Sequence, residues 1–239
     1  LYMDQNVNKV VIAGGGTAGW MAAAALSKLV ARPLEIILVE SESIGTIGVG
    51  EATIPSILSI NRMLQIPEPD FIKLTRGTFK LGIQFENWRT VGDSYIHSFG
   101  DTGQGSWAAG FHHFWLKGRS LGIEYDYGDY CAELLAAQQE RFAITSKNRL
   151  NYAYHLDAAK YAAYLRNLAE TAGVIRVEGR ITRIDKTSDG FISSLQINDG
   201  EQAVEGDLFI DCSGFQAILA DNALGVDYDD WSSWLPANR

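Results

Sequence analysis

Gly14, Gly16 and Gly19 stand in the order G-x-G-x-x-G between an aliphatic run, Lys9 to Ala13, and an alanine-rich stretch, Thr17 to Ala31, with no internal breaker. That placement constrains the chain to strand, tight turn and helix in succession. Leu34 to Glu40 (LEIILVE) is a second continuous apolar run, of the kind buried on both faces of a parallel sheet, so the unit reads βαβ. Glu40 ends this run twenty-one residues after Gly19. In a dinucleotide fingerprint the first glycine makes the turn, the second lets the backbone reach a pyrophosphate at the positive helix N-terminus, and the third lets helix pack on strand. Glu40 then accepts the adenosine ribose hydroxyls, and its charge repels a 2′-phosphate. The fingerprint alone does not choose between FAD and NAD.

Composition narrows the partners. At 239 residues, 46% apolar and 21% charged, the chain buries a sizeable core as one large domain or two intimately mixed ones. Its net charge of −9 repels phosphate backbones and anionic membrane surfaces, so neither nucleic acid nor membrane is an expected partner. No apolar run approaches the ~20 residues of a membrane span, and no basic-then-apolar signal opens the chain, which makes a soluble, cytoplasmic protein the expectation. Cys131 and Cys212 are eighty-one positions apart and no CxxC pair occurs, so neither a disulfide framework nor a metal cage is indicated.

Beyond the βαβ unit, Ile44 to Thr53 carries three glycines in ten residues and reads as a loop. Helices are predicted near 55–65 and 69–75. Thr78 to Trp88 alternates, with Phe79, Leu81, Ile83 and Phe85 on one face and Lys80, Gly82, Gln84 and Glu86 on the other, which predicts one extended strand. Gly92 to Gly128, rich in Gly, Trp, Phe and His, reads as binding-surface loop, and a helix follows near 129–141. A stronger helix starts after an N-cap at Asp157, aligns Tyr161, Leu165, Leu168 and Ala172, and stops at Gly173. Val174–Val177, Ile181–Asp185, Phe191–Ile197 and Asp207–Ile210 are predicted strands, the middle ones joined by Ser188-Asp189-Gly190 and Asn198-Asp199-Gly200 turns into a meander that returns to the parallel sheet.

Asp207 to Gly214 (DLFIDCSG), a strand ending in a small-residue turn after a meander, resembles the flavoprotein monooxygenases, where such a segment closes over the cofactor and a backbone stretch like Val177 flanks the adenine. That favours FAD. Gly14-Gly15-Gly16-Thr17-Ala18-Gly19-Trp20, Gly48-Val49-Gly50-Glu51-Ala52-Thr53-Ile54-Pro55, and Phe79-Lys80 ahead of Phe85-Glu86-Asn87-Trp88 together resemble a flavin-dependent tryptophan halogenase. His97-Ser98-Phe99-Gly100, Phe111-His112-His113-Phe114-Trp115 and Asp211-Cys212-Ser213-Gly214 continue the likeness in the same order, from Lys9 onward.

The resemblance implies an α/β fold: a Rossmann-like FAD-binding fold of the monooxygenase type, with a β-meander and an inserted substrate-side segment. It implies FADH2 from a separate flavin reductase, a halide ion as co-substrate, and chlorination or bromination of tryptophan or another indole by hypohalous acid travelling through an internal tunnel. Lys80 then stands where the tunnel meets the small aromatic substrate and directs the halogen, as a donor or a transient haloamine; a free oxidising halogen species reacts indiscriminately and needs such confinement. Read from the residues alone, a lysine on the polar face of an alternating strand is simply solvated. By the same likeness Gly14, Gly16, Thr17, Ala18, Gly19, Glu40, Val177 and Gly214 bind the cofactor, Ser41, Ile44, Ile47 and Ala52 belong to a flap that senses it, and His97 and Phe99 face the substrate, Phe99 stacking on an indole. His112, His113 and His155 read as packed or surface residues. A homodimer is left open.

Members of that family are longer, and their second half carries a WxWxIP motif, a catalytic acid with a neighbouring serine, and the halide-binding backbone; Trp231-Ser-Ser-Trp234-Leu-Pro236 has the wrong spacing to stand in. The expectation is therefore that 1–239 is an FAD-binding module of a larger halogenase-like domain whose C-terminal half is missing, with 53–150 as inserted helices and substrate-side segment. A flavin monooxygenase that inserts oxygen, which does not need Lys80, and an FAD-binding fragment without turnover are the alternatives.

Overall fold

The computed structural model describes residues 6–44, 50–144 and 150–235. The chain divides into two compact units, Leu1–Val49 with Ala158–Arg239, and Gly50–Asp157. Strand β1 (Lys9–Ala13), helix α1 (Thr17–Leu29) and strand β2 (Glu35–Glu40) realise the predicted βαβ start. The helix stops two residues short of Ala31, at a Val30 whose extended backbone ends the turn. Gly45, Ile47 and Gly48 of the predicted flap lie outside the described residues.

In the unit Gly50–Asp157 come β3 (Gly50–Ala52), α2 (Ser56–Met63), α3 (Glu68–Thr75), β4 (Thr78–Lys80), β5 (Gly82–Glu86), β6 (Ser94–Ser98), α4 (Phe111–Ser120), a 3-10 turn (Tyr127–Tyr130), α5 (Ala132–Gln138) and β7 (Ala153–Asp157). The single strand predicted over Thr78–Trp88 is two. β4 pairs antiparallel with β7, and β3 flanks β7 on its other edge, while β5 pairs antiparallel with β6 as a separate hairpin. The break falls at Leu81, so Lys80 and Leu81 are both buried instead of facing opposite ways. Gly82 opens the second strand, where a Cβ would lie 2.5 Å from the His97 carbonyl oxygen. The segment predicted as loop over Gly92–Gly128 thus contains β6 and α4. Its helix spans only ten residues and buries none of them, so the Phe111, Phe114 and Trp115 spacing is its one short helical signal in a stretch of weak periodicity.

The chain then re-enters the first unit with α6 (Ala158–Thr171), β8 (Ile175–Glu178), β9 (Ile181–Lys186), β10 (Ile192–Ile197), β11 (Gln202–Glu205) and β12 (Leu208–Asp211). α6 buries Tyr161, Ala162, Leu165 and Ala169, while Ala172 is exposed beyond the helix end and Gly173 turns the chain at φ +96°. A four-stranded parallel sheet runs β12-β1-β2-β8, and β11-β10-β9 form the antiparallel meander. Val11, Ala13, Ile37 and Val39 on one face of the sheet pack with Leu195, Ile197 and Val204 of the meander. The alternating Val10, Ile12, Ile36 and Leu38 are equally buried, and α1, packed on α6, lies against β1 and β2. Each of these large aliphatic side chains contributes about 1.5–3 kcal/mol through burial, which is why these strands read as continuous apolar runs. Among the described residues no helix is long and apolar enough to cross a membrane.

Candidate functional site

The fingerprint turn is built by contacts that exclude side chains. Gly14 sits at φ +114°, donates its N–H to the Val39 carbonyl at 2.9 Å, and would place a Cβ 2.3 Å from the Cys212 carbonyl oxygen. A Cβ on Gly19 would lie 1.9 Å from the Gly14 carbonyl oxygen. Gly16 differs: nothing stands within 4 Å of where its Cβ would be, and it precedes α1 without any side-chain hydrogen bond capping the helix. Thr17, Ala18 and Gly19 form the first turn, which holds no acidic residue. A helix N-terminus without a side-chain cap, with open space at Gly16 and no acidic residue in its own first turn, fits the diphosphate of a dinucleotide.

Of the other predicted cofactor residues of this unit, Glu40 and the segment leading to Gly214 lie beside that turn. Cys212 donates its N–H to the Ala13 carbonyl, seating the turn of Ser213 and Gly214 beside Gly14. Gly214 adopts φ +67° with open space about it. Asp211 organises this turn. Its Oδ1 accepts from the Ser213 N–H at 3.0 Å and the Ser213 hydroxyl at 2.5 Å, and its Oδ2 from the N–H groups of Leu219 at 2.8 Å and Ala220 at 3.0 Å. Burial pushes the Asp211 carboxyl up, but those four donors outweigh it and hold the group below its ordinary value. Val177 pairs with Val39 at the sheet edge. Ile44 is exposed, and the Ser41 and Ser43 hydroxyls share a 2.8 Å hydrogen bond.

Glu40 is the most heavily engaged of the predicted residues. Its Oε1 accepts from Arg176 Nε at 2.6 Å and lies 3.5 Å from Arg166 Nη1, while its Oε2 accepts from the Trp20 indole N–H at 3.2 Å. Arg176 also binds Glu42 at 3.0 Å and Glu178. Burial lowers the Arg176 pKa, yet the hydrogen bond and charge of Glu40, with Glu178 and Glu42, raise it overall.

In the other unit, Lys80 is buried to 7% exposure. Its Nζ donates to the Thr53 carbonyl at 2.9 Å and lies 5.3 Å from the centroid of the Phe99 ring. Burial holds the amine below its ordinary value. Thr53 is itself locked to Tyr154: its N–H and hydroxyl donate to the Tyr154 carbonyl at 2.9 and 3.0 Å, and the Tyr154 N–H donates to its Oγ1 at 3.0 Å. The Tyr154 and Tyr152 hydroxyls both donate to Glu68 Oε1, the latter at 2.6 Å. Burial and then the Lys80 charge lower the pKa of His155, which sits on β7 opposite Ala52 and Thr78. Phe99 donates its N–H to the Leu81 carbonyl, so the residue beneath the ammonium is anchored next to the strand break. His97 lies opposite Ile83 in the β5–β6 ladder and is exposed, and Ala52 is exposed on β3.

The structure therefore brings Lys80 and Phe99 together, and gathers Gly14, Gly16, Gly19, Glu40 and Gly214 about one turn. Residues missed by sequence reasoning are Thr53 and Tyr154, which carry Lys80, and Gly15, Trp20, Arg176 and Asp211. Trp20 directly follows the fingerprint and Gly15 lies within it, so both were in view. Asp211 opens the Asp211-Cys212-Ser213-Gly214 block and bonds within nine residues, so it too was in view, whereas Arg176 acts through a tertiary contact that no local pattern announces.

The family model for tryptophan halogenase matches residues 9–239. Tryptophan 6-halogenase ThaL of Streptomyces albogriseolus is 35% identical over 99% of this chain and 48% of its own length, and tryptophan 7-halogenase RebH of Lentzea aerocolonigenes is 34% identical over 98% and 47%. Among solved structures, Xcc4156, a flavin-dependent halogenase from Xanthomonas campestris, is 57% identical with a TM-score of 0.91, over 96% of this chain and 46% of that one. BrvH, a flavin-dependent halogenase from Brevundimonas sp. BAL3, is 41% identical with a TM-score of 0.87, over 98% and 48%. The chain spans about half the length of the curated relatives it matches.

Proposed function

Because this chain belongs to the tryptophan halogenase family, we propose that it is the FAD-binding part of an FADH2-dependent halogenase that chlorinates or brominates tryptophan or another indole. A separate flavin reductase supplies the reduced cofactor in this reading, and halide is the co-substrate. When bound, FADH2 supplies with oxygen and halide the electrophilic halogen, as hypohalous acid.

The rest falls to the chain's own residues. The bare N-terminus of α1 at Gly16, Thr17 and Ala18 holds the diphosphate, Glu40 receives the ribose, and the Gly214 turn and the Val177 backbone border the nucleotide. Lys80 receives the oxidised halogen and directs it to the ring. Its Nζ binds the hypohalous acid by hydrogen bond, or carries the halogen briefly as a haloamine with loss of water. The indole carbon then takes up the halogen as the O–halogen or N–halogen bond breaks, and the ring proton leaves with the hydroxide as water or returns to the amine. Phe99, beside the ammonium, offers an aromatic face to an indole.

One observation carries this reading. The Lys80 amine, on a strand whose polar alternation assigns it to solvent, is buried, with the Thr53 carbonyl and the Phe99 ring beside it and the His155 imidazole within reach of its charge. A desolvated amine of lowered pKa has both the donor and the nucleophilic character that the chemistry demands.

The test uses the complete protein that carries this FAD-binding part, with flavin reductase, oxygen, and bromide or chloride, tryptophan and indole as substrates, and mass spectrometric detection. Halogenated product from the parent protein, its loss in Lys80→Ala, and continued peroxide formation by that variant are the expected results. Product formation unchanged by Lys80→Ala overturns the role of Lys80. An oxygenated product in place of a halogenated one overturns the reaction class.

A further inference from the structure

The acid that ends β2 is held from several sides, and the holding groups come from three separate elements. Arg176 on β8 reaches Glu40 Oε1 through Nε at 2.6 Å, and Arg166 on α6 stands 3.5 Å from the same oxygen. Trp20 on α1, 1% exposed, donates its indole N–H to Oε2 at 3.2 Å. The remaining side is closed by an absence: a Cβ on Gly15 would lie 1.6 Å from Oε2 and 2.5 Å from the Glu40 Cβ. Gly15 is one of the variable positions of the fingerprint, so the glycine pattern itself does not require it.

The charges explain why the carboxylate needs holding. Glu40 and Glu178 are directly opposite in the β2–β8 ladder, where like charges repel, and Glu42 follows two residues on. Arg176 bridges all three, with its Nη2 on Glu42 and Glu178 and its Nε on Glu40, and so offsets part of their mutual repulsion. Without that guanidinium, Glu40 is driven away from its neighbours and off the turn. With it, Oε1 is saturated by two arginines, and Oε2, which has taken one donor from Trp20, keeps an acceptor direction for another.

We propose that Arg176 is a positioning residue: together with Trp20 and the bare Cα of Gly15, it holds Glu40 Oε2 beside the fingerprint turn to receive a hydroxyl of the adenosine ribose. This rests on the flavin reading above. It assigns to Arg176 the discrimination between ribose and deoxyribose in the adenosine half of the cofactor, a property separate from how tightly the diphosphate is held.

The experiment displaces FAD from the full chain with ADP, 2′-deoxy-ADP and 3′-deoxy-ADP. The parent protein binds ADP about tenfold more tightly than at least one deoxy form, the scale of one hydrogen bond to a charged group. Arg176→Gln and Glu40→Gln each bring that ratio close to one, and the double variant lowers it no further. Gly15→Ala does the same with every charge retained, and Arg176→Lys, which keeps the charge and loses the Nε donor to Glu40, carries the test of Arg176 if Arg176→Gln does not fold. If Arg176→Gln and Gly15→Ala weaken all three ligands by the same factor, Arg176 is a strand-edge residue without the assigned role. A parent protein that binds ADP and both deoxy forms equally overturns the proposal while leaving the flavin reading standing; one that binds neither FAD nor ADP overturns both.

Discussion

Lys80 Nζ lies 2.9 Å from the carbonyl oxygen of Thr53, a neutral acceptor, so the buried ammonium is oriented without being neutralised. A carboxylate there would favour the charged form and hold the amine as a cation. A backbone carbonyl fixes direction while desolvation works against the charge, and the Phe99 ring at 5.3 Å adds only the modest attraction of a cation over an aromatic face. The arrangement keeps the proton readily lost, which suits either role proposed for the amine.

Thr53 transmits this geometry, so removing its hydroxyl is costly while retaining it is not. Thr53→Val keeps the shape but deprives the Tyr154 N–H and carbonyl of a partner each. We expect a loss of about 1–3 kcal/mol in denaturant unfolding of the full chain, with the slope unchanged. Thr53→Ser restores most of it. A Thr53→Val protein as stable as the parent shows that the two hydroxyl bonds carry nothing.

The pH dependence of stability follows from the lowered pKa of Lys80. Below the folded-state value the amine is protonated in both states; between that value and the ordinary 10.5 the folded state has released a proton that the unfolded chain retains. Stability contributed by this group therefore grows as pH rises through that window, is fully present above the ordinary value, and is lost as pH falls through the lowered one. Lys80→Met removes the effect. Melting temperatures of the two proteins, measured from neutral pH upward, should diverge in favour of the parent as pH approaches 10.5; parallel curves contradict the desolvation argument.

The βαβ unit, strands β9 and β10 and the turns at Ser188–Gly190 and Asn198–Gly200 were legible because each depends on a local pattern: apolar runs between glycine punctuation, and φ-positive Asn198, Asp199 and Gly200 at the β10–β11 turn; β11, short and with only Val204 buried, was not among the predicted strands. The Thr78–Trp88 region was not. Its alternation is nearly continuous in sequence, but β4 and β5 pair with different partners, and only the tertiary ladder shows that the chain must change sheets at Leu81. Burial of Lys80 is a direct result of that change. The fingerprint revealed Glu40, yet the groups that aim it lie at 15, 20, 166 and 176, a set assembled from three elements and the turn.

The three fingerprint glycines should separate into two classes. Gly14→Ala meets the Cys212 carbonyl at 2.3 Å from a φ of +114°, and Gly19→Ala meets the Gly14 carbonyl at 1.9 Å, so both force backbone to move. Each should cost several kcal/mol, or about as much as overpacking and backbone strain together. Gly16→Ala, at φ −72° with open space, should leave unfolding within ~0.5 kcal/mol of the parent and yet weaken FAD binding at least about tenfold, because its methyl occupies the approach of the diphosphate. Calorimetry of FAD binding beside thermal unfolding distinguishes the classes. A Gly16→Ala protein with unchanged FAD affinity removes the diphosphate from this turn.

Asp211 offers the complementary case, a carboxylate whose work is structural and whose effect reaches the site through Gly214. Its two oxygens receive four donors, from Ser213, Leu219 and Ala220, and so fix the turn whose backbone lies against Gly14. Burial raises its pKa, the hydrogen bonds together lower it by more, and the net shift is downward. A depressed carboxylate contributes stability that is present above the ordinary value of 3.8 and is lost as pH falls through the folded-state value. Asp211→Asn turns an amide N–H toward backbone N–H donors, so we expect a loss of about 1–3 kcal/mol at neutral pH, together with a flatter acid limb in the stability profile. Acid titration of unfolding for both proteins, followed by tryptophan fluorescence, reads the two effects separately. Should the variant lose stability by the same amount at pH 7 and at pH 3, the donors around Asp211 recognise its acceptor geometry and not its charge, and the argument from the depressed carboxyl fails.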